Sequence, residues 1–363
     1  MRVLVVAVSA RMLAEMAVAD GYDVIALDRF GDVDLRAVAP GETGPSSDAL
    51  TALADDVEAA AVVYGAGFEN RPDLVARLAD ARELLGTPPE LLASVRDPWE
   101  VGAAARAAGA GAPETLAAVR ELLDGTRAGG EWLRKPRLGG GGRGVRRWGG
   151  GRLATTEILQ RRIHGRSCSA VAIGDGRRAA VLGLTEQLHL RPGFGWMGNV
   201  TPPRLPDVEL TELDGQLRAV CDEIAARFGV RGAFGVDAIW DGRLAWVLEV
   251  NPRPPASLEL FGPGSFEAHV RGARGVDLPS AGNPPAATCA NVKLVLFASR
   301  ALVAPDPGWW PADLVHDVPR AGEPIKRRAP LCTLISADAG VPELVDRGAR
   351  LLAALNEPVL ASG

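Results

Sequence analysis

The apolar positions from Arg2 to Val8 run without alternation, the pattern of a strand buried on both faces. Ser9 follows as the expected N-cap of a helical ARMLAEMAVADG, which stops at Gly21. A second strand spans Asp23 to Leu27 and ends at Asp28, and the β-α-β pattern returns at Ala60 to Tyr64. Residues 1–95 therefore read as a small open α/β domain.

Further on the periods change. Pro98 to Asp124 looks helical and Ala-rich, and Trp132 to Pro136 reads as a strand running into LGGGGRG. Thr156 to Ile163, Ser167 to Ile173 and Arg178 to Leu184 predict strands of one antiparallel sheet. Glu212 to Phe228 is amphipathic, with Leu213, Leu217, Val220, Ile224 and Phe228 on one helical face. Val236 to Trp240 and Leu244 to Asn251 predict a hairpin around Asp241-Gly242. Strands at Val292 to Phe297 and Leu331 to Ser336 and a helix from Val341 complete the chain, with no internal repeat.

Length changes the picture first: 363 residues exceed one small core, so two or three packed units are expected. A net charge of −5 argues against a nucleic-acid face. Basic residues cluster only locally, at Arg134–Arg147 and Arg161–Arg166, which suits a small anionic ligand. Cys168, Cys221, Cys289 and Cys332 lie far apart without a C-x-x-C pair, so reduced buried thiols in a cytoplasmic protein are expected rather than structural zinc. The N-terminal apolar run is too short for a signal peptide or a membrane span. The turn VSARM lacks G-x-G-x-x-G, which disfavours a dehydrogenase.

Three stretches carry candidate chemistry. In VLEVNPRPPAS, Glu249 and Asn251 are two apart on a strand and share a face. A hard cation such as Mg²⁺ takes oxygen ligands of this kind. Asp237 on the preceding strand would join them only if the hairpin loop has an odd number of residues, such as Asp241-Gly242-Arg243, with Glu249 diagonal to Asp237. Taken alone, the acids also fit solvent-facing positions beside a turn. In LRKPRLGGGGRGV, Lys135 ends a strand before a glycine-rich loop that could cradle phosphate, although by itself a flexible linker is the simpler reading. In ILQRRIHGRSCS, backbone groups could read an adenine edge, although by itself this is an ordinary edge strand.

Their order, from Lys135 to Arg253, resembles the ATP-grasp superfamily over residues 96 to 262. SARMLAEMAVADGYDVIALDRFGD (9–32), YGAGFENRP (64–72) and GLTEQLHL (183–190) resemble its predicted ATP-dependent carboligase group. Members of that group occur with the synthesis of one-carbon carrier cofactors whose tails carry amide-linked glutamates. The resemblance implies an α/β and α+β chain: an N-terminal open α/β (pre-ATP-grasp) domain at 1–95, then a two-subdomain ATP-grasp fold. The first subdomain, with the glycine loop, would span 96–158, and the second, with a C-terminal extension, 159–363.

It also implies ATP and Mg²⁺ (or Mn²⁺) as cofactors, small-molecule carboxylate and amine substrates, and a possible homodimer, with no nucleic acid or membrane as partner. Asp237, Glu249 and Asn251 would hold the metal. Lys135 and Gly139, Gly140, Gly141, Gly142 and Gly144 would meet the phosphates, in a loop expected to be mobile without nucleotide. Gln160, Arg161, Arg162 and Ile163 would meet adenine, with Arg96 and Ser167 contacting nucleotide; relatives often carry Glu, Lys and Glu where Gln160, Arg96 and Ser167 stand. Lys135 and Arg253 would act in catalysis, in which a carboxylate attacks the γ-phosphate and an amine displaces phosphate from the acyl phosphate.

His189, Arg191 and Trp196 are expected on a loop facing the site. For these histidines and His269 a structural role is the readier reading, and Trp309, Trp310 and His316 read as packing or surface. An ATP-grasp small-molecule kinase and a non-catalytic nucleotide-binding regulatory protein are the alternatives.

Overall fold

The computed structural model describes residues 1–118, 130–190, 192–278 and 291–355; the expected helix end at Asp124, Arg191 and Cys289 lie outside the described residues. β1 (Arg2–Val6) is an inner strand of a parallel sheet ordered β2-β1-β3-β4, with β2 (Asp23–Leu27), β3 (Ala61–Tyr64) and β4 (Glu83–Leu84). The unbroken apolar run is explained by burial on both faces. Val3 and Val5 pack with Leu13, Ala14 and Ala17 of α1 (Arg11–Ala19). Three further helices belong to this region: α2 (Val33–Val38), α3 (Ser47–Ala54) and α4 (Pro72–Ala79), with α5 (Pro89–Val95) leading out of it. Leu4 and Val6 pack on the other side of the sheet, against Leu50 of α3 and Leu74, Val75 and Leu78 of α4.

Ser9 does not cap α1. The N-cap position falls on Ala10, and the Ser9 hydroxyl instead donates to Asp317 at 3.4 Å.

α6 (Pro98–Ala107) is capped by Asp97, whose carboxylate accepts from the N–H groups of Trp99 (2.9 Å) and Glu100 (3.2 Å). The helix is shorter than the Ala-rich stretch predicts. Gly109, at φ 83° just past the C-cap Ala108, ends it before β5 (Thr115–Leu116). A second sheet has the order β5-β8-β6-β7, with β6 (Trp132–Pro136), β7 (Arg146–Arg147) and β8 (Glu157–Arg161).

β8 thus does not join the strands that follow it, contrary to the single sheet expected. The chain turns at Gly165, where its backbone passes so close to Trp240 that an added Cβ would lie 2.1 Å from the Trp240 carbonyl oxygen.

The third sheet is antiparallel and eight-stranded. It contains β9 (Arg166–Asp175), β10 (Ala179–His189), β11 (Trp196–Thr201), β12 (Arg231–Trp240), β13 (Ala245–Asn251) and β14 (Asn291–Phe297). β15 (Leu302–Val303) stands apart and pairs with β17 (Pro324–Ile325). β16 (Val315–His316) and β18 (Pro330–Ser336) complete the large sheet in the order β13-β12-β9-β10-β11-β14-β18-β16.

α7 (Asp207–Phe228) lays the predicted stripe Leu213, Leu217, Val220, Ile224 and Phe228 on one face of this sheet. Each such side chain contributes about 1.5–3 kcal/mol by leaving water. α8 (Ser265–Arg274) covers the other face, where Phe266 and Val270 share a core with Val171 and Ile173 and with Val3 and Val5 of the N-terminal sheet. That shared core, which also holds Ala233 of β12, fixes the N-terminal sheet beside β9 and β12. α9 (Val341–Ala354) packs Leu344 against the β14–β18 end. Among the described residues no helix is long and apolar enough to cross a membrane, and Cys168, Cys221 and Cys332 are buried free thiols.

Candidate active site

Asp237 on β12 and Glu249 on β13 are direct register partners, so both acids sit on one face of the hairpin. The device is not the odd loop expected. Trp240 pairs with Ala245, leaving the four residues Asp241 to Leu244 in the turn, where the Asp241 carboxylate accepts from the N–H groups of Arg243 (2.9 Å) and Leu244 (2.8 Å). The parity changes further along: Ala238 pairs with Val247 but Asp237 with Glu249, which makes Leu248 the extra residue of a β-bulge.

Asn251 completes the group, its Nδ2 donating to Asp237 Oδ2 at 3.1 Å. Burial first, then repulsion from Glu249, pushes the Asp237 carboxyl up to about 7, with Arg253, Asn251 and Arg96 pulling the other way. Two facing carboxylates and an amide oxygen are all hard oxygen donors, and a divalent cation would relieve the charge that raises Asp237. The residues present therefore fit Mg²⁺ or Mn²⁺.

Lys135, near the end of β6, reaches this pair from the second sheet. Its Nζ lies 3.7 Å from Glu249 Oε2 and donates to Gln160 Oε1 at 3.4 Å, and Gln160 Nε2 donates to the Thr115 hydroxyl at 3.3 Å. A small pocket beside them is lined by Arg96, Lys135, Arg137, Ile158, Leu248 and Glu249. The glycine loop leaves β6 within reach: Gly139 O accepts from Arg96 Nη2 at 2.5 Å, and Gly141 O accepts from Trp196 N–H at 3.0 Å. Gly142 requires a glycine, because at φ 69° its added Cβ would lie 1.8 Å from the Phe194 carbonyl oxygen. The loop expected to be mobile thus rests on the turn before β11. Gly140 and Gly144 lie within the same loop; nothing stands within 4 Å of a Cβ added at Gly140.

The loop after β3 supplies residues that the sequence did not mark individually. Glu69 accepts from Arg253 Nε at 3.3 Å and from Gly67 N–H at 2.7 Å. Burial works against its charge, yet Arg253 and neighbouring N–H groups hold the carboxyl below its ordinary value. Asn70 accepts from Arg96 Nε at 3.1 Å, while Arg96 Nη1 reaches Val250 O (2.8 Å) and Asn251 Oδ1 (3.4 Å). Arg96 therefore ties α5, β13 and the glycine loop together. Gln187 on β10 was also missed: its Nε2 donates to Asp237 Oδ1 at 2.9 Å, and its Oε1 accepts from the Ser167 hydroxyl at 2.8 Å. Glu69, Asn70 and Gln187 all lie in YGAGFENRP or GLTEQLHL, and those two stretches were the signal available.

The expected adenine hinge is less open than its sequence. The N–H of Arg161 donates to Glu114 O and that of Arg162 to Glu131 O, both at 2.8 Å, leaving Ile163 beyond the end of β8. Both side chains turn to acids, Arg161 to Glu114 at 3.9 Å and Arg162 to Glu131. The local basic clusters are likewise paired: Arg134 and Arg146 with Glu157, Arg147 with Glu131, and Arg166 with Glu186. His189 sits at the end of β10 with its Nδ1 buried and unpartnered, and burial pushes its pKa down. Trp196 Nε1 donates to Asn199 Oδ1 at 2.8 Å. His269 is structural: its Nδ1 accepts from Ala233 N–H at 2.8 Å, its Nε2 lies 3.2 Å from Leu85 O, and burial lowers it to about 4. Trp309 and Trp310 pack edge to face at 5.0 Å.

Residues 96–257 match the ATP-grasp domain family. No curated protein matches the sequence. Solved structures resemble the fold across nearly the whole chain. N5-carboxyaminoimidazole ribonucleotide synthetase from Thermus thermophilus is 20% identical, with 99% of each chain covered and a TM-score of 0.65. The biotin carboxylase domain dimer of 2-oxoglutarate carboxylase from Hydrogenobacter thermophilus, in complex with MgADP, ADP and bicarbonate, is 15% identical, with coverage of 95% and 88% and a TM-score of 0.71. Pyruvate carboxylase from Rhizobium etli is 16% identical with a TM-score of 0.73; 98% of this chain aligns but spans only 39% of that enzyme.

Proposed function

We propose, from an ATP-grasp domain at residues 96–257 behind an open α/β sheet, that this protein is an ATP-dependent ligase joining a carboxylate to an amine. The observation that carries the reading is the convergence of Asp237, Glu249 and Asn251 with Lys135 at the foot of a glycine loop. A binding module has no need of two facing acids beside a lysine. The solved relatives support the fold, and one of them holds MgADP with bicarbonate, so the acid to test here includes bicarbonate.

In this reading the chain divides into units at 1–95, 96–158 and 159–363. Asp237, Glu249 and Asn251 hold Mg²⁺ or Mn²⁺, which when bound neutralises phosphate charge as a Lewis acid. Lys135 and the N–H groups of Gly139 to Gly144 receive the ATP phosphates, and Gln160 to Ile163 with Arg96 and Ser167 line the nucleoside side. The substrate carboxylate attacks the γ-phosphorus and ADP departs. Arg253, fixed by Glu69, faces the oxygens of the resulting acyl phosphate, where a preorganised cation contributes most. The amine then forms the C–N bond and inorganic phosphate leaves. Assembly as a homodimer, a cytoplasmic location and a place in the synthesis of a one-carbon carrier cofactor belong to the same proposal, through the likeness to the predicted carboligase group.

The test is ADP release from Mg-ATP with pooled carboxylic acids, glutamate-bearing acids and bicarbonate included. Hydroxylamine replaces the amine and captures acyl phosphate as a hydroxamate. Acid-dependent ADP with hydroxamate, both lost in Glu249→Ala, supports the ligase. ADP formed with a phosphorylated acceptor and no hydroxamate contradicts it.

A further inference from the structure

Gln187 of β10 and Asp237 of β12 belong to strands that do not pair. β9 runs between them, so their contact crosses about 10 Å of sheet, two strand spacings. Asp237 pairs with Ser169 of β9 and Ile239 with Ser167; on the other side of β9, Ser169 pairs with Thr185 and Cys168 with Glu186. Residues two apart share a face, so β9 offers two small hydroxyl side chains, Ser167 and Ser169, on the face that carries Asp237. Ser169 turns to the Thr185 hydroxyl at 2.8 Å. The longer Gln187 passes over β9, and its Nε2 donates to Asp237 Oδ1 at 2.9 Å.

The amide is held in one sense. The Ser167 hydroxyl donates to Gln187 Oε1 at 2.8 Å, which leaves Nε2, the end that carries the donors, toward Asp237. Asn251 Nδ2 donates to the other carboxylate oxygen, Asp237 Oδ2, at 3.1 Å. Two amides thus grip the two oxygens of one carboxylate and fix its rotation about the Cβ–Cγ bond, a torsion that is otherwise broad. The lone pairs left over are those that a cation shared with Glu249 can use. A neutral donor suits the place: a third carboxylate there would add to the repulsion between Asp237 and Glu249.

We propose that Gln187 is a positioning residue of the metal site: held by Ser167, it sets the plane of the Asp237 carboxylate for a divalent cation without ligating the cation itself. The proposal rests on the reading of Asp237, Glu249 and Asn251 as the metal ligands and deepens it by two residues. Direct ligation by Gln187 fits less well, because Oε1, the oxygen a hard cation would take, already accepts from Ser167, and the amide nitrogen is a donor only. Groups that orient a metal ligand from behind carry a measurable share of metal affinity, although they never touch the ion. Ser167 therefore serves the metal through Gln187, whatever else its oxygen meets on the nucleoside side.

Titration of the full chain with Mn²⁺, free ion read by electron paramagnetic resonance and no nucleotide present, tests this apart from any contact that Ser167 makes with ATP. Gln187→Met, close to glutamine in length but without a donor, should weaken Mn²⁺ binding by about 10- to 100-fold. Gln187→Asn keeps the amide but is one methylene too short to cross β9, and should fall with it. Ser167→Ala should give a smaller, severalfold loss in the wild type and none in the Gln187→Met background, because it acts through that side chain. Thermal unfolding in metal-free buffer reports that each variant is folded. Wild-type Mn²⁺ affinity in Gln187→Met overturns the proposal, and so does an equal loss from Ser167→Ala in both backgrounds. Ser167→Ala deletes a single oxygen and tests the relay even where Gln187→Met does not fold; unchanged affinity in it contradicts the proposal. Mn²⁺ binding that Glu249→Ala leaves unchanged sinks the metal-site reading and this proposal with it, whereas absence of hydroxamate from the wild type sinks the ligase reading alone.

Discussion

Asp237 and Glu249 stand directly across the β12–β13 hairpin from each other because Leu248 is one residue too many in β13. Without that extra residue the ladder that pairs Ala238 with Val247 would bring Leu248, not Glu249, opposite Asp237. Two acids forced together at the end of a buried strand repel each other, and this repulsion adds to burial in raising the Asp237 carboxyl.

Burial and this repulsion together set a pH dependence. The folded Asp237 carboxyl lies at about 7 against 3.8 unfolded, so between those values the native state binds the proton that the unfolded chain releases. In the absence of divalent metal, this group's contribution to stability therefore falls as pH rises from about 4 to 7. Metal affinity moves the other way: it should strengthen toward tenfold per pH unit below 7 and level off above. Asp237→Asn should remove most of that slope, as read by Mn²⁺ binding followed by electron paramagnetic resonance.

Removing an acid should cost turnover rather than the fold. Glu249→Ala should reduce kcat by roughly 100- to 1,000-fold, the usual scale for losing a preorganised electrostatic contact, while the melting temperature stays the same or rises as repulsion on Asp237 is relieved. Steady-state ADP release and calorimetry check the two halves.

Arg253 depends on a carboxylate from the loop after β3. Glu69→Gln keeps the shape but removes the charge that aims Arg253, a change of about 1.5–3 kcal/mol for a hydrogen bond to a charged group. A fall of about tenfold to a hundredfold in kcat should follow, with KM for ATP little changed. A shift confined to KM would show that Arg253 only binds nucleotide.

Two glycines of the same loop should behave differently when each is given a methyl group. Gly142→Ala places a Cβ 1.8 Å from Phe194 O at a left-handed φ, so the loop cannot rest on the turn before β11, and KM for ATP should rise severalfold. Gly140→Ala meets nothing within 4 Å and should leave KM unchanged. Steady-state kinetics of the two variants, side by side, separate the effect of the contact from that of lost glycine freedom.

Much of this was legible in the sequence. Strand length and β-branched runs marked β1, β2 and β6, the 3.6-residue stripe marked α7, and the i, i+2 rule put Glu249 and Asn251 together. Local pattern could not carry the rest. A bulge such as that at Leu248 has no composition of its own, so the shared face of Asp237 and Glu249 was expected for the wrong reason, an odd loop. Sheet membership is set by long-range pairing, and β8 reads as continuous with β9 in sequence although the chain turns at Gly165 against Trp240. Glu69, Asn70 and Gln187 reach the site only through the packing of separate elements, which no spacing rule records.

The most direct measurement follows oxygen. With the acid found by hydroxamate capture labelled with ¹⁸O in its carboxylate, one turnover through an acyl phosphate must leave one labelled oxygen in the inorganic phosphate. Phosphate carrying a single ¹⁸O, formed at least about 100-fold more slowly by Glu249→Ala, is the predicted result. Unlabelled phosphate alongside product would show that the carboxylate never attacks phosphorus, and the account of this site as a ligase would be wrong.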